Sequence, residues 1–426
     1  MIGFENTEAF ASELDAADKL KDFRKEFLFP QHNGQNVIYL TGNSLGLEPK
    51  GAREALLQEL DDWGKYGVEG HFEAKNPWFA YHEMFKPLLA EIVGAKPIEV
   101  TALNGLTANL HFLMVSFYRP KGERYKILCE AKAFPSDQYA LESQVKFHGY
   151  DPDDAIIELS PREGEHTIRE EDILECIEEN AQSIALIMIG GVNYYSGQLF
   201  DMKSITEVGH RVGAKVGFDL AHGVGNVELK LHDWQVDFAA WCSYKYLNSG
   251  PGSVAGIFVH ENHANNKDLH RFAGWWGNDA SSRFKMEKGF IPAPGADSWQ
   301  VSNAPIFSMA VHKVAVELFV QATMPALFEK RDMLTAYLEF VIEDVSGKSS
   351  NLNIEIITPK DKEKRGSQLS LISHGSAREL FDKITEQGVI ADWREPNVIR
   401  IAPVPMYNSY MDAYNFGQIL KNASEV

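Results

Sequence analysis

The sequence predicts an α/β protein in which helices flank a mostly parallel sheet and a smaller α+β domain follows. Two observations predict this class: short, continuous apolar runs alternate with helical patterns after residue 100, and the pattern changes after residue 305. Continuous apolar runs are typical of parallel strands that are buried on both faces. The five runs span residues 126–128, 184–189, 216–218, 238–241 and 254–259.

Two helices are predicted before the sheet. The first has apolar side chains at helical spacing, and we expect those side chains to face the core. The second opens at Pro77, and we expect Pro87 to kink or shorten it because proline lacks the backbone N–H that a helix interior needs. The apolar residues are Leu56, Leu57, Leu60 and Trp63 in the first helix and Trp78, Tyr81, Phe85, Leu88 and Ile92 in the second.

A further helix is predicted between the strands. Thr167 and Glu170 have the spacing of a capping box, which would open an acidic helix that runs through Ile177. This helix is expected to cover one face of the sheet. Open α/β sheets bind ligands beyond the carboxyl ends of their strands, so the residues directly after the apolar runs are the candidates for function.

The chain after residue 305 indicates a smaller α+β unit. A helix is followed by two strands, a second helix that ends at Gly388, and a last strand. Residues 360–366 are charged and polar, and we expect them to form an exposed turn. The predicted strands span residues 354–357, 369–372 and 398–401.

These patterns divide the chain into three expected parts. Residues 1–60 form an N-terminal segment that packs with the small domain. Residues 61–304 form the large domain, and residues 305–426 form the small one. A chain of 426 residues is long enough to bury a separate core in each domain.

Composition excludes several classes of function. Hydrophobic residues at 44% and charged residues at 24% are typical of a globular protein, and a net charge of −19 disfavours nucleic acids and anionic membranes. The N-terminus lacks the apolar core of a signal peptide, and the longest apolar run is about half the length of a membrane span. Three cysteines without paired spacing, Cys129, Cys176 and Cys242, predict neither disulfides nor a metal site, which fits the cytoplasm.

The strongest chemical signal is a pair of residues that each follow a predicted strand, Asp219 and Lys245. Pyridoxal phosphate (PLP) enzymes need a lysine to hold the cofactor aldehyde and a carboxylate to keep the pyridine nitrogen protonated. An aspartate at a strand end or a surface lysine would have a structural explanation if it occurred alone. Both residues follow strands, and a glycine-rich turn at 249–252 lies close behind the lysine, so the pair predicts a PLP site.

Five segments extend this prediction to a family. They read GNSLGL from residue 42, FPSD from residue 134, VGFDLAHGVGN from residue 216, SYKYLN from residue 243 and RIAP from residue 400. Together they resemble kynureninase over nearly the whole chain. The resemblance implies PLP fold type I, with a seven-stranded sheet, and a homodimer with shared active sites. It also implies hydrolytic Cβ–Cγ cleavage of kynurenine or 3-hydroxykynurenine, which yields alanine and anthranilate or 3-hydroxyanthranilate.

The resemblance also implies roles for individual residues. Lys245, Asp219 and Tyr244 are the implied catalytic residues, with Tyr244 a candidate proton donor late in the cycle. Trp275 and Asn303 are implied to come from the neighbouring subunit, and Gly190 stands where the family can place a serine near the phosphate. The implied cofactor-binding residues are Leu106, Thr107, Phe134, Pro135, Ser136, Asp137, Asp219, His222, Tyr244, Lys245, Trp275 and Asn303. The implied substrate-binding residues are Arg400, His71, Ser44 and Asn303.

Two alternatives remain at this point. A cysteine desulfurase or an aminotransferase shares the fold, since fold alone does not choose a reaction, but none of the three cysteines follows the pattern of an exposed reactive loop. A non-catalytic binding or regulatory module of the same fold would not need Lys245, Asp219 and Arg400 together. The sequence leaves open the preferred substrate, the base that activates water, and a role in tryptophan breakdown or in NAD biosynthesis.

Overall fold

A seven-stranded sheet forms the centre of the large domain. The structure is a computed structural model, which describes residues 3–264 and 266–425. Each of the five predicted runs overlaps one strand of this sheet, and two short strands that we did not predict complete it. In chain order the strands are β1 (Val100–Ala102), β2 (Lys126–Glu130), β3 (Ile156–Leu159), β4 (Ile184–Gly190), β5 (Lys215–Asp219), β6 (Phe238–Trp241) and β7 (Gly256–Val259).

The strand order is β1-β7-β6-β5-β4-β2-β3. Strands β3, β2, β4, β5 and β6 pair in parallel, whereas β7 is antiparallel to both of its neighbours. The expectation that the run at 254–259 forms a parallel strand is therefore wrong. An apolar run reports burial on both faces, and that burial does not depend on strand direction.

Helices cover both faces of this sheet. On one face Leu113 and Leu141 pack with the sheet residue Ile127, and on the other Ile177 and Ile205 pack with sheet residues such as Ile187. Those four helical residues belong to α5, α6, α8 and α9 in the following list. The α-helices up to residue 264 are α1 (Glu8–Ala17), α2 (Ala52–Tyr66), α3 (Gly70–Glu73), α4 (Lys86–Val93), α5 (Leu106–Phe117), α6 (Pro135–Phe147), α7 (Pro152–Ala155), α8 (Glu170–Glu179), α9 (Met202–Arg211) and α10 (Glu261–Ala264).

The predicted acidic helix exists as α8, but its capping box is wrong. The helix begins with Arg169 at the N-cap position, and no side chain caps it there. Thr167 lies two residues further out. Three acidic residues in the first turn, at positions 170–172, interact favourably with the positive end of the helix dipole, which favours this start.

Helix α2 exposes three of the four apolar side chains that were expected to face the core, so the prediction is wrong for these three, and Leu56 is half-buried. Leu57, Leu60 and Trp63 are 44%, 45% and 57% exposed, whereas Glu59 and Asp62 are buried. Glu59 accepts hydrogen bonds from the side chains of three residues in the next segment, and these bonds satisfy its buried carboxylate. The donors are Asn76, Trp78 and Tyr81.

The second predicted helix is interrupted near Pro87, as expected. A 3-10 helix at Trp78–Phe85 is followed by α4, which has Pro87 in its first turn. Proline is tolerated there because the first N–H groups of a helix have no intrahelical partner. Tyr81 and Phe85 are buried, as the helical spacing predicted.

The C-terminal part has a four-stranded antiparallel sheet. Its strands are β8 (Ile354–Ile356), β9 (Leu369–Ser373), β10 (Asp392–Arg394) and β11 (Val398–Ile401), in the order β8-β9-β11-β10. The helices after residue 305 are α11 (Ile306–Ala322), α12 (Met324–Lys348), α13 (Ala377–Glu386) and α14 (Tyr410–Glu425). Of these, α11 packs in the core of the large domain through Met309, Val316 and Phe319.

Residues 360–366 are only partly an exposed turn. A short 3-10 helix at Lys362–Lys364 is exposed, but Arg365 and Gly366 are buried. The Nη1 atom of Arg365 lies 2.6 Å from the carboxylate of Glu339 on α12. That buried ion pair explains why the end of a charged segment turns inward.

The N-terminal segment contacts the C-terminal part. Asp15 of α1 accepts hydrogen bonds from the backbone N–H groups of Tyr410 (2.7 Å) and Met411 (3.1 Å), and so it caps α14. Ile38–Tyr39 pairs in parallel with Val389–Ile390. Between residues 3 and 425, apart from residue 265, no single helix is both long and apolar enough to cross a membrane, and α11 and α12 meet that test only as a pair bent by 81°.

Candidate active site

The carboxyl ends of β2, β4 and β5 carry three residues side by side: Glu130, Gly190 and Asp219. Asp219 pairs with Gly190 in the register of β5 and β4. Lys245 lies in the loop after β6 and faces the same edge of the sheet. These residues share a cavity of about 150 Å³, which is lined by Leu106, Thr107, Glu130, Phe134, Ser136, Asp137, Gly190, Val192, Tyr194, Asp219, Ala221, His222, Tyr244 and Lys245.

A half-exposed aromatic ring and an amine face each other in this cavity. The Nζ atom of Lys245 lies 5.7 Å from the centroid of the Phe134 ring. That ring is 41% exposed, and its edge contact with Tyr194 has a centroid distance of 5.4 Å. An open aromatic face beside a lysine can stack on a planar ring that the lysine also reaches.

Two aspartates form a carboxyl pair under this space. Burial raises the pKa of Asp137 well above its usual range, and the charge of Asp219 raises it further. Burial also raises the pKa of Asp219, but Asp219 has a hydrogen bond with Asp137, accepts another from the backbone N–H of Ala221 at 2.6 Å, and feels the positive charge of Lys245. Asp137 therefore holds the proton and Asp219 is the anion of the pair.

Two helix N-termini converge at the other end of the cavity. Leu106 and Thr107 begin α5, and Ser136 lies in the first turn of α6. The hydroxyl groups of Thr107 and Ser136 are 2.6 Å apart. The first backbone N–H groups of a helix lack intrahelical partners and favour negative charge, so this end suits a phosphate group.

Tyr244 and His222 are both uncharged near neutral pH. Burial raises the pKa of Tyr244, and a hydrogen bond to Cys242 raises it further, so the phenol keeps its proton. Burial lowers the pKa of His222 well below its usual range, and the charges of Lys245 and Arg400 add to this effect. Its Nδ1 atom is buried and has no hydrogen-bond partner within the described part of the chain.

Arg400 is buried directly behind the cavity. It is 1% exposed, and its Nη1 atom donates to the carbonyl oxygen of Tyr194 at 2.6 Å. Its Nη2 atom donates to Asp392, its cross-strand neighbour. The Nε atom is buried without a partner among the residues that the structure describes. The guanidinium therefore has donors left for a carboxylate.

Besides Arg400, five residues that the resemblance implied do not line the cavity of this chain. Pro135 occupies the first turn of α6, and Ser44 and Asn303 are exposed. His71 has its Nδ1 atom 2.9 Å from the carbonyl oxygen of Val68, and Trp275 donates to the carbonyl oxygen of Arg283 at 3.2 Å. Their roles stay predictions.

Sequence reasoning missed Glu130, Val192 and Tyr194. Glu130 had a recognisable signal, because a charged residue directly after an apolar run lies at the functional edge of such a sheet. Tyr194 follows β4 by four residues, so the same rule pointed to its neighbourhood. Its contact with Arg400 depends on how the two parts of the chain pack, and no local pattern encodes that.

The residues present fit PLP. The converging helix N-termini suit its phosphate, the open face of Phe134 suits its ring, Asp219 suits its ring nitrogen, and Lys245 suits its aldehyde. His222 offers a buried polar atom that still needs a partner. The fold and the site thus define a PLP-dependent enzyme of fold type I.

Comparisons with known proteins narrow this class to one family. A model of class-V aminotransferases matches residues 38–276, and a model of the kynureninase C-terminal domain matches residues 327–420. Kynureninases from Flavobacterium psychrophilum and Myxococcus xanthus are 59% and 52% identical, over 98% of this chain and 98% and 97% of theirs. One from Nematostella vectensis is 48% identical over 97% of this chain and 93% of its own. The chain belongs to the kynureninase family.

Solved structures show the same fold with other chemistry. A cysteine desulfurase from Thermococcus onnurineus has a TM-score of 0.76 at 14% identity, covering 95% of this chain and 98% of that one. The cystine C-S lyase C-DES, in complex with cysteine persulfide, has a TM-score of 0.75 at 15% identity, covering 92% and 98%. At such identities the likeness shows the fold alone. The full-length relatives support a PLP-dependent hydrolase of the kynureninase type, and PLP is its cofactor.

Proposed function

We propose that this cavity is the site where kynurenine, or its 3-hydroxy form, is hydrolysed to alanine and the corresponding anthranilate. The observation that carries the proposal is the arrangement of Lys245, the open face of Phe134 and the Asp137–Asp219 pair around one cavity. When it is bound, PLP supplies an aldehyde that takes up the substrate amine and a ring that accepts electron density from Cα.

The side chains of this chain would move the protons. Lys245 would take the proton from Cα of the substrate. Asp219 stays anionic and keeps the ring nitrogen protonated, because Asp137 holds the proton of their pair. Water then adds to the γ-carbonyl, and the Cβ–Cγ bond breaks with release of the anthranilate. Tyr244, which is still protonated, is placed to return a proton to Cβ and so to complete alanine.

Arg400 would bind the α-carboxylate of the substrate. Its contacts with Asp392 and with the carbonyl oxygen of Tyr194 fix the guanidinium plane, and its Nε atom has no competing partner among the described residues. A planar guanidinium can donate to both carboxylate oxygens and so can hold the Cα–H bond in a fixed direction. His71 and Ser44 would contact the aromatic end.

We also propose a homodimer with shared active sites. An aromatic strip of Phe72, Phe79, Phe284 and Trp275 runs across the surface, with ring centroids 5.9, 5.7 and 5.4 Å apart in succession. Three of these rings are between 44% and 62% exposed. Exposed apolar surface of this kind marks an interface. Additional exposed residues nearby in sequence are Leu57, Leu60, Trp63 and Val68.

The strip includes Trp275 and adjoins His71, whose ring centroid lies 6.5 Å from that of Phe72. Two implied site residues that do not line the cavity of their own chain thus lie on or beside the surface that would meet a partner. This supports a site completed across a two-fold axis by Trp275 and Asn303. We further propose the division of the chain into residues 1–60, 61–304 and 305–426. We also propose a cytoplasmic location, which the three free cysteines support.

Fluorescence of the released anthranilate tests the reaction directly. Purified protein with PLP should release the fluorescent product from kynurenine, and the rate with 3-hydroxykynurenine, followed by its own product, gives the preference. Lys245→Ala should abolish release. Absence of product from both substrates in a protein that binds PLP would refute the proposed function.

Subunit mixing tests the shared site. Lys245→Ala chains and Asn303→Ala chains are each expected to be inactive, and random exchange should restore about a quarter of wild-type activity, since half the dimers carry one intact site. Mixing Lys245→Ala with Asp219→Asn is the matched control, because both residues belong to the same subunit's site and no intact site can form. No recovery in the first mixture, despite proven exchange, would refute the shared site.

A further inference from the structure

Glu130 is a buried carboxyl group that the reaction described above does not use. It ends β2, is 5% exposed, and lines the cavity together with Asp137 and Asp219. Burial raises its pKa to about 7, and the charge of Asp219 contributes to that rise, whereas a hydrogen bond from the backbone of Gly190 opposes it. The group therefore changes its charge close to neutral pH.

The backbone of Gly190 holds this carboxyl group across the end of β4. The N–H group of Gly190 donates to both oxygens of Glu130, at 3.1 Å to Oε2 and 3.2 Å to Oε1. A Cβ atom at position 190 would lie 2.8 Å from Oε1, which is closer than real Cβ contacts come. A side chain at position 190 would therefore displace the Glu130 carboxyl group from this position.

Charge balance explains what this carboxyl group can do. The carboxyl groups of Glu130, Asp137 and Asp219 share the cavity with one amine, that of Lys245. The residue before Glu130 in β2 is Cys129, which carries a thiol. Like charges this close do not all ionise, and Asp137 already holds a proton. Below neutral pH the cavity has one anion, Asp219. Above neutral pH, ionised Glu130 adds a second anion on the neighbouring side of Asp219.

We propose that Glu130 is a positioning residue of the cofactor site, which acts through Asp219 by adding negative charge beside the protonated cofactor ring. Glycine at position 190 leaves the space of a side chain to this carboxyl group. The inference rests on the proposed placement of the ring nitrogen at Asp219. A positive ring nitrogen would lower the pKa of Glu130, and by linkage the protein would bind PLP more tightly as Glu130 ionises.

The first test compares the wild type with Glu130→Gln and Glu158→Gln. Glutamine keeps an oxygen that accepts the N–H of Gly190 but cannot ionise, whereas Glu158 is an exposed glutamate on the adjacent strand β3 and serves as the control. Infrared spectra of the full-length apo-protein should show a carboxylic acid band that titrates at about pH 7 in the wild type and in Glu158→Gln. This titrating band should be missing in Glu130→Gln, whereas a carboxylic acid band from protonated Asp137 should be common to all three proteins.

Cofactor affinity gives the functional readout. The PLP dissociation constant of Glu130→Gln is divided by that of the wild type at each pH. This ratio should rise from about pH 6 to pH 8. The rise should reach up to about tenfold for each unit by which bound cofactor lowers the Glu130 pKa. A ratio that stays constant over this range would overturn the proposal, because it would mean that Glu130 serves only as a hydrogen-bond acceptor. So would a band that titrates at about pH 7 with the same strength in Glu130→Gln as in the wild type.

A double-mutant cycle tests the geometry without reference to pH. Gly190→Ala should weaken PLP binding several-fold in the wild type and much less in a Glu130→Ala background, where the space is empty. Equal effects in the two backgrounds would overturn the proposed role of Gly190. Asp219→Asn separates this inference from the proposed function. If its PLP dissociation constant equals that of the wild type at every pH, the ring nitrogen does not lie at Asp219, and this conclusion does not depend on Glu130.

Discussion

The substitution Arg400→Lys tests the carboxylate site most directly. In the structure two nitrogen atoms of the guanidinium donate to Tyr194 and to Asp392, and the Nε atom is buried without a partner in the described structure. A lysine ammonium has three donors on one atom. If two of them keep those contacts, one donor remains for the substrate, so the two-point grip on its carboxylate is lost.

The expected magnitude follows from that count of donors. A hydrogen bond to a charged group contributes about 1.5–3 kcal/mol, so the loss of one should lower kcat/KM for kynurenine by about 10- to 150-fold. We expect KM to rise and kcat to fall, because the second hydrogen bond both binds the carboxylate and fixes the direction of the Cα–H bond. The bound PLP, measured by its absorbance, should be unchanged, since Arg400 lies behind the cavity and not at its phosphate end.

Arg394→Lys is the matched control for this experiment. Arg394 contacts the same Asp392 carboxylate at 3.2 Å, but its side chain is 36% exposed. The same chemical exchange there should have a much smaller effect on kcat/KM. If Arg400→Lys kept wild-type kinetics, or lost no more than Arg394→Lys, the assignment of Arg400 to the substrate carboxylate would be refuted.

Three further outcomes are expected. Tyr244→Phe with full PLP content should exchange the Cα proton with solvent deuterium faster than it forms alanine, and equal loss of both rates would place Tyr244 at or before deprotonation. Burial alone would raise the pKa of Asp237, but hydrogen bonds from His210 and His263 lower it overall. Its stabilising effect is therefore present above pH 4, and Asp237→Asn should lower the thermal midpoint at pH 5–8 by an amount that shrinks below about pH 4. Asp15→Ala removes the acceptor of the Tyr410 and Met411 N–H groups at the start of α14 and leaves the cap formed by Ser409, so it should cost about 1–2 kcal/mol in urea unfolding. No change would show that the two lost bonds are redundant.

The strands of the large domain were predictable where burial alone produces a pattern. The runs that became β2, β4, β5 and β6 are apolar because helices cover both faces of the sheet. By contrast, β1 has only three residues, and β3 carries the exposed Glu158 in its short run. Both exist because they pair with a neighbour, and a single-sequence pattern does not report pairing partners. The same limit explains the reversed direction of β7.

Helix α2 shows a second kind of limit. Helical periodicity reports that one face is apolar, but it does not report which surface covers that face. Here Leu57, Leu60 and Trp63 remain exposed in the isolated chain, while the polar side of the helix binds the segment after it through Glu59. If the proposed dimer forms, the apolar pattern was a correct signal of burial, and only the identity of the covering surface was misjudged.

The residues of the active site differ in how far the sequence predicted them. Asp219 and Lys245 were predictable as a pair because each follows an apolar run, and parallel strands bring such positions to one edge. Glu130 follows the same rule, yet a glutamate at a strand end has an ordinary structural explanation, and only its burial beside Gly190 distinguishes it. Arg400 contacts the site through Tyr194, about two hundred positions earlier in the chain. Residues that lie at the sheet edge can therefore be found by strand position, whereas residues that reach the site from another layer of the molecule require the packing of that layer.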